Sequence, residues 1–257
     1  MFTALYENGG VRLIRSIWVL FNIFFWTPIW ATIGIIFSFF DWSGRPIAWV
    51  AKQWSKLLLF ISGIPYTVNG LDHLDPDQQY VFTANHESAF DILLVYAALP
   101  HKLVFLAKTE LKKIPFLGWA MVLGKHIFVD RKNHKAALAS MDIAKDSLKK
   151  YPRSIMIFPE GTRSKDGIPK QFATGGLITL FKFMPTAIIV PVTINNSWKL
   201  MRWGGFPQDI GVHVKHTVHE PIPVAGNDPE ELVKRVQDIV LADFPSVKAH
   251  TRKSKLI

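Results

Sequence analysis

Short apolar runs that alternate with helical patterns do most to limit the folds open to this chain. From Tyr66 onward, "YTVNG" (66–70), "YVFTA" (80–84), "LVFLA" (103–107), "HIFVD" (126–130), "SIMIF" (154–158) and "TAIIVPVTI" (186–194) read as strands. Most are apolar at successive positions, as in strands covered on both faces. Helical patterns fall between and after them, at 88–98, 115–123, 133–150, 174–183 and 228–242. This alternation implies an α/β fold with a largely parallel central sheet flanked by helices. "IGVHVKHTVHEP", 210–221, alternates and reads as an exposed edge strand. Pro191, inside a β-run, implies an edge or an irregular site.

The N-terminal part follows different rules. Residues 16–40 contain no charged side chain, a run long enough for a transmembrane helix. Arg12 and Arg15 precede it; Asp41 and Arg45 follow. Asn22, Pro28 and Gly34 interrupt it, so three readings stay open: a single span, a bent in-plane hairpin, and a buried core helix. A cleaved signal peptide fits less well, because the run is too long and no small-x-small pattern follows. Residues 45–65 set Ile47, Val50, Trp54, Leu58 and Ile61 at helical spacing, with Lys52, Gln53 and Lys56 between. That is the pattern of a basic helix at a membrane interface, and equally of a helix covering a sheet. The chain thus divides into a membrane-associating helical segment (1–64), an α/β domain (65–245) and a basic tail (246–257).

A formal net charge of +10 fits nucleic acid, an anionic membrane surface or phosphate-bearing small molecules. Nine tryptophans and the early apolar run favour the last two, and the chain carries no nucleic-acid module. The absence of cysteine excludes disulfides, a thiolate nucleophile and sulfur-ligated metal. His213, His216 and His219 alternate faces along a strand, so no metal site is expected from them.

Four stretches carry possible chemistry. "TANHESAFD" (83–91) puts His86 after a strand and Asp91 in the first turn of the next helix. Ser88 and Asp91 have the spacing of a capping box, which is the plain structural role. If His86 folds back over that turn, Asp91 can hold one ring nitrogen and leave the other as a base. "IMIFPEGTRSKDG" (155–167) turns sharply after a strand, with Gly161 allowing close backbone approach and Arg163 able to grip phosphate as a fork. A strand-to-loop turn with a surface ion pair is the plain alternative. "GKHIFVDRKN" (124–133) ends a strand at Arg131, and "IIVPVTI" (188–194) says little by itself.

Together, and in this order, these stretches resemble the glycerophospholipid acyltransferase family. Asn85 to Asp91 matches its N-H-x4-D block, and Phe158–Pro159–Glu160–Gly161–Thr162–Arg163–Ser164 its F-P-E-G-T-R-S block. Gly124 to Arg131 is similar to its glycine-to-arginine block with the glycine displaced, and Val190–Pro191–Val192 to its final block. "KTELKKIPFLGW" (108–119) looks like its connecting segment. The resemblance, closest to the 1-acyl-glycerol-3-phosphate acyltransferases, implies acyl transfer from a thioester to the sn-2 hydroxyl of lysophosphatidic acid, giving phosphatidic acid. It implies His86 as base and Asp91 as its partner. Arg131, Glu160, Gly161, Thr162 and Arg163 would hold the acceptor, with Glu160 orienting Arg163 or a glycerol hydroxyl. No cofactor is implied; acyl-CoA or acyl carrier protein supplies the acyl group, on the cytoplasmic face of the membrane. With no cysteine and no G-x-S-x-G elbow, direct attack is favoured over an acyl-enzyme. Other acceptors (glycerol 3-phosphate, another lysolipid), a hydrolase and a non-catalytic membrane-attached binding protein are the alternatives. "QFATGG" (171–176) departs from the lysine pair that the family often carries there.

Overall fold

The structure, a computed structural model, describes residues 9–130, 134–164, 166–201, 203–242 and 244. Arg131 and the tail 246–257 lie outside the described residues. Two helices come first, α1 (Gly9–Ser38) and α2 (Arg45–Ile61). Then follow β1 (Tyr66–Asn69), β2 (Val81–Ala84), α3 (Phe90–Ala98), β3 (Leu103–Lys108), α4 (Leu117–Leu123) and β4 (Ile127–Val129). The rest is α5 (His134–Lys150), β5 (Ser154–Ile157), α6 (Thr174–Phe183), β6 (Ile188–Asn195), β7 (Val214–Val218), β8 (Ile222–Pro223) and α7 (Pro229–Leu241). The strand order is β1-β7-β6-β2-β5-β3-β4, with β8 also on β6. The strands from β6 to β4 are mutually parallel, β7 and β8 run antiparallel to β6, and β1 is parallel to β7.

The pleat divides the apolar runs between two cores. Phe82, Met156 and Val190 point to the side covered by Leu58 and Leu59 of α2 and Leu94 of α3. Their neighbours Val81, Ile155 and Ile189 point to the side covered by Leu177 and Leu180 of α6 and Val233, Val236 and Val240 of α7. Each such fully buried side chain contributes about 1.5–3 kcal/mol. Asp228 starts α7 by accepting from Glu230 N and Glu231 N, with Pro229 in the first turn.

α1 is built inside out. Ser16, Asn22, Gly34 and Ser38 face the protein, while Ile14, Phe21, Phe24 and Phe37 face outward. The inward polar groups satisfy themselves locally, Ser16 on Arg12 O, Asn22 on Trp18 O and Ser38 on Gly34 O. The helix runs unbroken through Asn22, Pro28 and Gly34. Its start is tied down by Arg15, which donates to Asp209 O (2.7 Å) and Ser62 O (2.6 Å). Near its end, Gly34 lets α2 approach closely, since a Cβ there would lie 2.8 Å from Ile47 Cδ1.

Two expectations need correction, and one of two alternatives is decided. β7 is not an edge strand: it lies between β1 and β6. Its alternation arises because Lys215 faces solvent while Val214, His216 and Val218 face the α2–α3 side. Pro191 takes the irregular site rather than an edge: it sits in an inner strand, opposite Thr83 of β2. Its carbonyl accepts from His219 N, so its missing N–H faces the gap where β6 passes from pairing β8 to pairing β7. Lys52 is not free for lipid; it donates to Leu99 O at 3.1 Å, and burial lowers its pKa.

Candidate active site

β2 and β5 are neighbours, so their C-terminal ends bring the 83–91 and 155–167 stretches together. Asn85 extends the ladder beyond β2 with its side chain. Its Oδ1 accepts from Ile194 N and its Nδ2 donates to Ile194 O, both at 2.8 Å. This amide imitates a strand residue and fixes where the chain turns away.

His86 stands in that turn and folds back over the start of α3. Its Nδ1 lies 2.8 Å from Asp91 Oδ2. The same oxygen accepts from Glu87 N (2.7 Å) and Ser88 N (2.8 Å), while Ser88 Oγ accepts from Phe90 N (3.2 Å). Asp91 therefore makes the carboxylate half of the expected capping box, while the Ser88 hydroxyl takes Phe90 N rather than Asp91 N, and that carboxylate is also the histidine's partner. Asp91 is fully buried, whereas the His86 side chain is 16% exposed. The imidazole stacks on Phe158, with ring centroids 4.2 Å apart and planes within 17°.

The second stretch braces the first. Ser164 N donates to His86 O at 2.8 Å. Glu160 accepts from His86 N through Oε1 (2.8 Å) and from Lys170 N through Oε2 (2.9 Å). Burial pushes the Glu160 carboxyl up to about 6, against the pull of those two bonds. Of the two expected partners, Arg163 is not the one its oxygens meet: Oε1 holds the His86 backbone and Oε2 that of Lys170. Gly161 has φ +70°, a conformation side chains rarely adopt, and its N–H donates to Phe158 O. Thr162 and Arg163 project beyond it into solvent. Arg163 Nη1 approaches Met201 Sδ at 3.8 Å.

Two residues escaped sequence reasoning. Glu87, inside the motif, is buried and accepts from Ser197 Oγ (3.2 Å) and Trp198 N (3.1 Å). Burial, then the nearby Asp91 charge, push its carboxyl up to about 8. It fastens the site to a 3-10 turn, Ser197–Met201, whose Met201 Sδ accepts from Ala89 N at 3.2 Å. A glutamate among small residues was the only available signal for Glu87, and Met201 offered none. The three spaced histidines go to separate places: His213 to Thr67, His216 into the core and His219 to Thr193.

Residues 65–195, more than half of the chain, match the family model described as Acyltransferase. The chain belongs to the acyltransferase family. Over 198 residues it is 30% identical to the 1-acyl-sn-glycerol-3-phosphate acyltransferase of Limnanthes douglasii, spanning 74% of this chain and 67% of that one. The enzyme of that name from Pseudomonas aeruginosa is 29% identical over 176 residues, 66% of this chain and 67% of its own. The crystal structure of the LPA acyltransferase PlsC from Thermotoga maritima shares the fold, with a TM-score of 0.79 and 24% identity over 94% of this chain and 98% of that one. This acyltransferase therefore keeps its His–Asp pair at the C-terminal edge of a mostly parallel sheet, where α/β folds hold their ligands.

Proposed function

We propose that this acyltransferase moves a fatty acyl group from an acyl thioester to the sn-2 hydroxyl of 1-acyl-glycerol 3-phosphate, giving phosphatidic acid. The observation that carries the reading is the 2.8 Å contact between His86 Nδ1 and a buried Asp91, with the ring partly open to solvent. An ionised carboxylate only accepts, so this contact needs the proton on Nδ1 and leaves Nε2 as a base. The names of the relatives supply the acceptor.

The steps follow from the chemistry. His86 Nε2 takes the hydroxyl proton as the oxygen attacks the thioester carbonyl. The tetrahedral intermediate collapses, the C–S bond breaks, and the imidazolium returns the proton to the leaving thiolate. Coenzyme A or acyl carrier protein carries the acyl group as co-substrate, and the reaction asks for no cofactor. Asp91 stabilises the transient imidazolium. Glu160 holds the His86 backbone still. Arg163 and Thr162 on the exposed turn, beside Gly161, receive the phosphate, together with Arg131 by family resemblance. For the oxyanion, the N–H groups of Gly161, Glu87 and Ser88 are already engaged within the turn, whereas Ala89 N faces only a thioether sulfur, a weak acceptor.

The lipid substrate and product stay in a bilayer, and α1 and α2 serve as its attachment, on the cytoplasmic face where carrier-bound donors are found. α1 is about 45 Å long. It holds Asp209 and Ser62 near one end and packs on α2 near the other. A helix crossing the ~30 Å hydrocarbon layer would carry one end away from the domain. These contacts support an in-plane pair with the aromatic face of α1 in lipid. A panel of acceptors in mixed micelles tests the assignment. Phosphatidic acid should form from 1-acyl-glycerol 3-phosphate faster than product forms from glycerol 3-phosphate or a zwitterionic lysolipid. Preference for either of those overturns it.

A further inference from the structure

The basic and apolar surface expected on α2 is only partly available there, because Lys52 is turned onto Leu99 O. A second such surface lies on α4 and the 3-10 turn before it (Thr109–Lys113), a segment without a role in the chemistry above. Residues 112–116 are all exposed. Ile114 is 43%, Phe116 38%, Trp119 53% and Val122 48% exposed. Trp119 and Val122, spaced by three, are neighbours on the helix, and the Phe116 ring just before it lies 5.3 Å from that of Trp119. The start of the helix is seated on the preceding turn through Gly118, where a Cβ would clash with the carbonyls of Leu111 and Lys112.

The surface continues into the α1–α2 connection. Phe39 is 67% and Phe40 86% exposed, and Lys125 Nζ lies 5.9 Å over the ring of Trp42. Gly44 packs against Gly124 O, so the end of α4 and the start of α2 form one face. Residues 108–125 hold four lysines and one acid. Aromatic side chains rimmed by lysine, continuous with the aromatic face of α1, suit an anionic lipid surface.

We propose that the Lys112–Lys125 face enters an anionic bilayer as a third attachment element beside α1 and α2. This rests on the reading of those helices as in-plane membrane helices. α4 follows β3, whose C-terminal end lies on the same sheet edge as His86. Its insertion therefore sets the height of the site above the lipid headgroups.

The chain has no cysteine, so single cysteines report position without background. Trp119→Cys, Val122→Cys, Phe24→Cys on α1 and Glu231→Cys on the opposite side of the sheet would each carry an environment-sensitive fluorophore. The full chain would be bound to vesicles of phosphatidylglycerol and phosphatidylcholine bearing nitroxides along the acyl chain. The proposal predicts quenching at 119 and 122 as at 24, and none at 231. Quenching at 24 without quenching at 119 and 122 overturns the α4 proposal and leaves the in-plane reading of α1 standing. No quenching at any site overturns both. Charge reversal of Lys112, Lys113 and Lys125 together should weaken vesicle binding at low salt at least tenfold. Unchanged binding would remove the electrostatic part of the claim.

Discussion

Asp91 Oδ2 meets three N–H groups, those of the His86 ring, Glu87 and Ser88, so the start of α3 and the orientation of the proposed base depend on one atom. Asp91→Asn separates geometry from charge. The amide oxygen can take the place of Oδ2 and keep all three bonds, but the neutral amide no longer stabilises the imidazolium formed when Nε2 takes a proton. The expected result is a loss of kcat of about 10²–10⁴ with little change in melting temperature. Glu87 makes a pH prediction. Its folded pKa of about 8 stands above the ordinary 4.5, so folding takes up a proton between those values. Stability is therefore lost as pH rises through that window, and the cost is complete above it, on the order of a few kcal/mol. In urea unfolding, Glu87→Gln should be more stable than the native chain at pH 9, with the difference shrinking by pH 5. A constant difference would show that Glu87 is ionised throughout. His86 and Asp91 were legible because a short motif carries both; the clamp by Glu160 was not, because Lys170 is brought to it only by the turn.

At the scale of elements, β1 to β6 and α3 to α7 were legible to within about two residues of their observed ends, since apolar period and turn residues are local signals, whereas β7 is shorter than its alternating run and β8 was not read. The interior position of β7 was illegible, because it depends on β1 lying beyond β7. Two glycines separate tolerant from intolerant helix contacts. A Cβ at Gly34 meets the free end of Ile47, whereas one at Gly118 meets the backbone carbonyls of Leu111 and Lys112. Gly34→Ala should be near neutral, the gain in helix propensity offsetting a small shift of Ile47. Gly118→Ala should destabilise by about 1–3 kcal/mol, because backbone cannot give way. Equal melting temperatures for the two variants would contradict this packing.

In the whole molecule, α2 belongs to the core as well as to the membrane reading. Leu58, Leu59 and Ile64 share a cluster with Phe82, Leu94 and Val214. Deleting residues 1–64 should thus give a chain that binds hydrophobic dyes and aggregates, rather than a soluble catalytic domain. The sequence left α1 open between span, hairpin and core helix because its ties to Asp209 and Ser62 are long-range. The central claim is that His86, set by Asp91, removes the proton from a lipid hydroxyl in direct transfer. The measurement that tests it follows thiol release and phosphatidic acid together, in mixed micelles with an acyl thioester and 1-acyl-glycerol 3-phosphate, for the native chain and His86→Ala. Thiol and phosphatidic acid should form in matched amounts, both falling by about 10²–10⁴ in the variant. Phosphatidic acid formed at the native rate by His86→Ala would rule out His86 as the base, and thiol released without it by the native chain would rule out direct transfer to this acceptor.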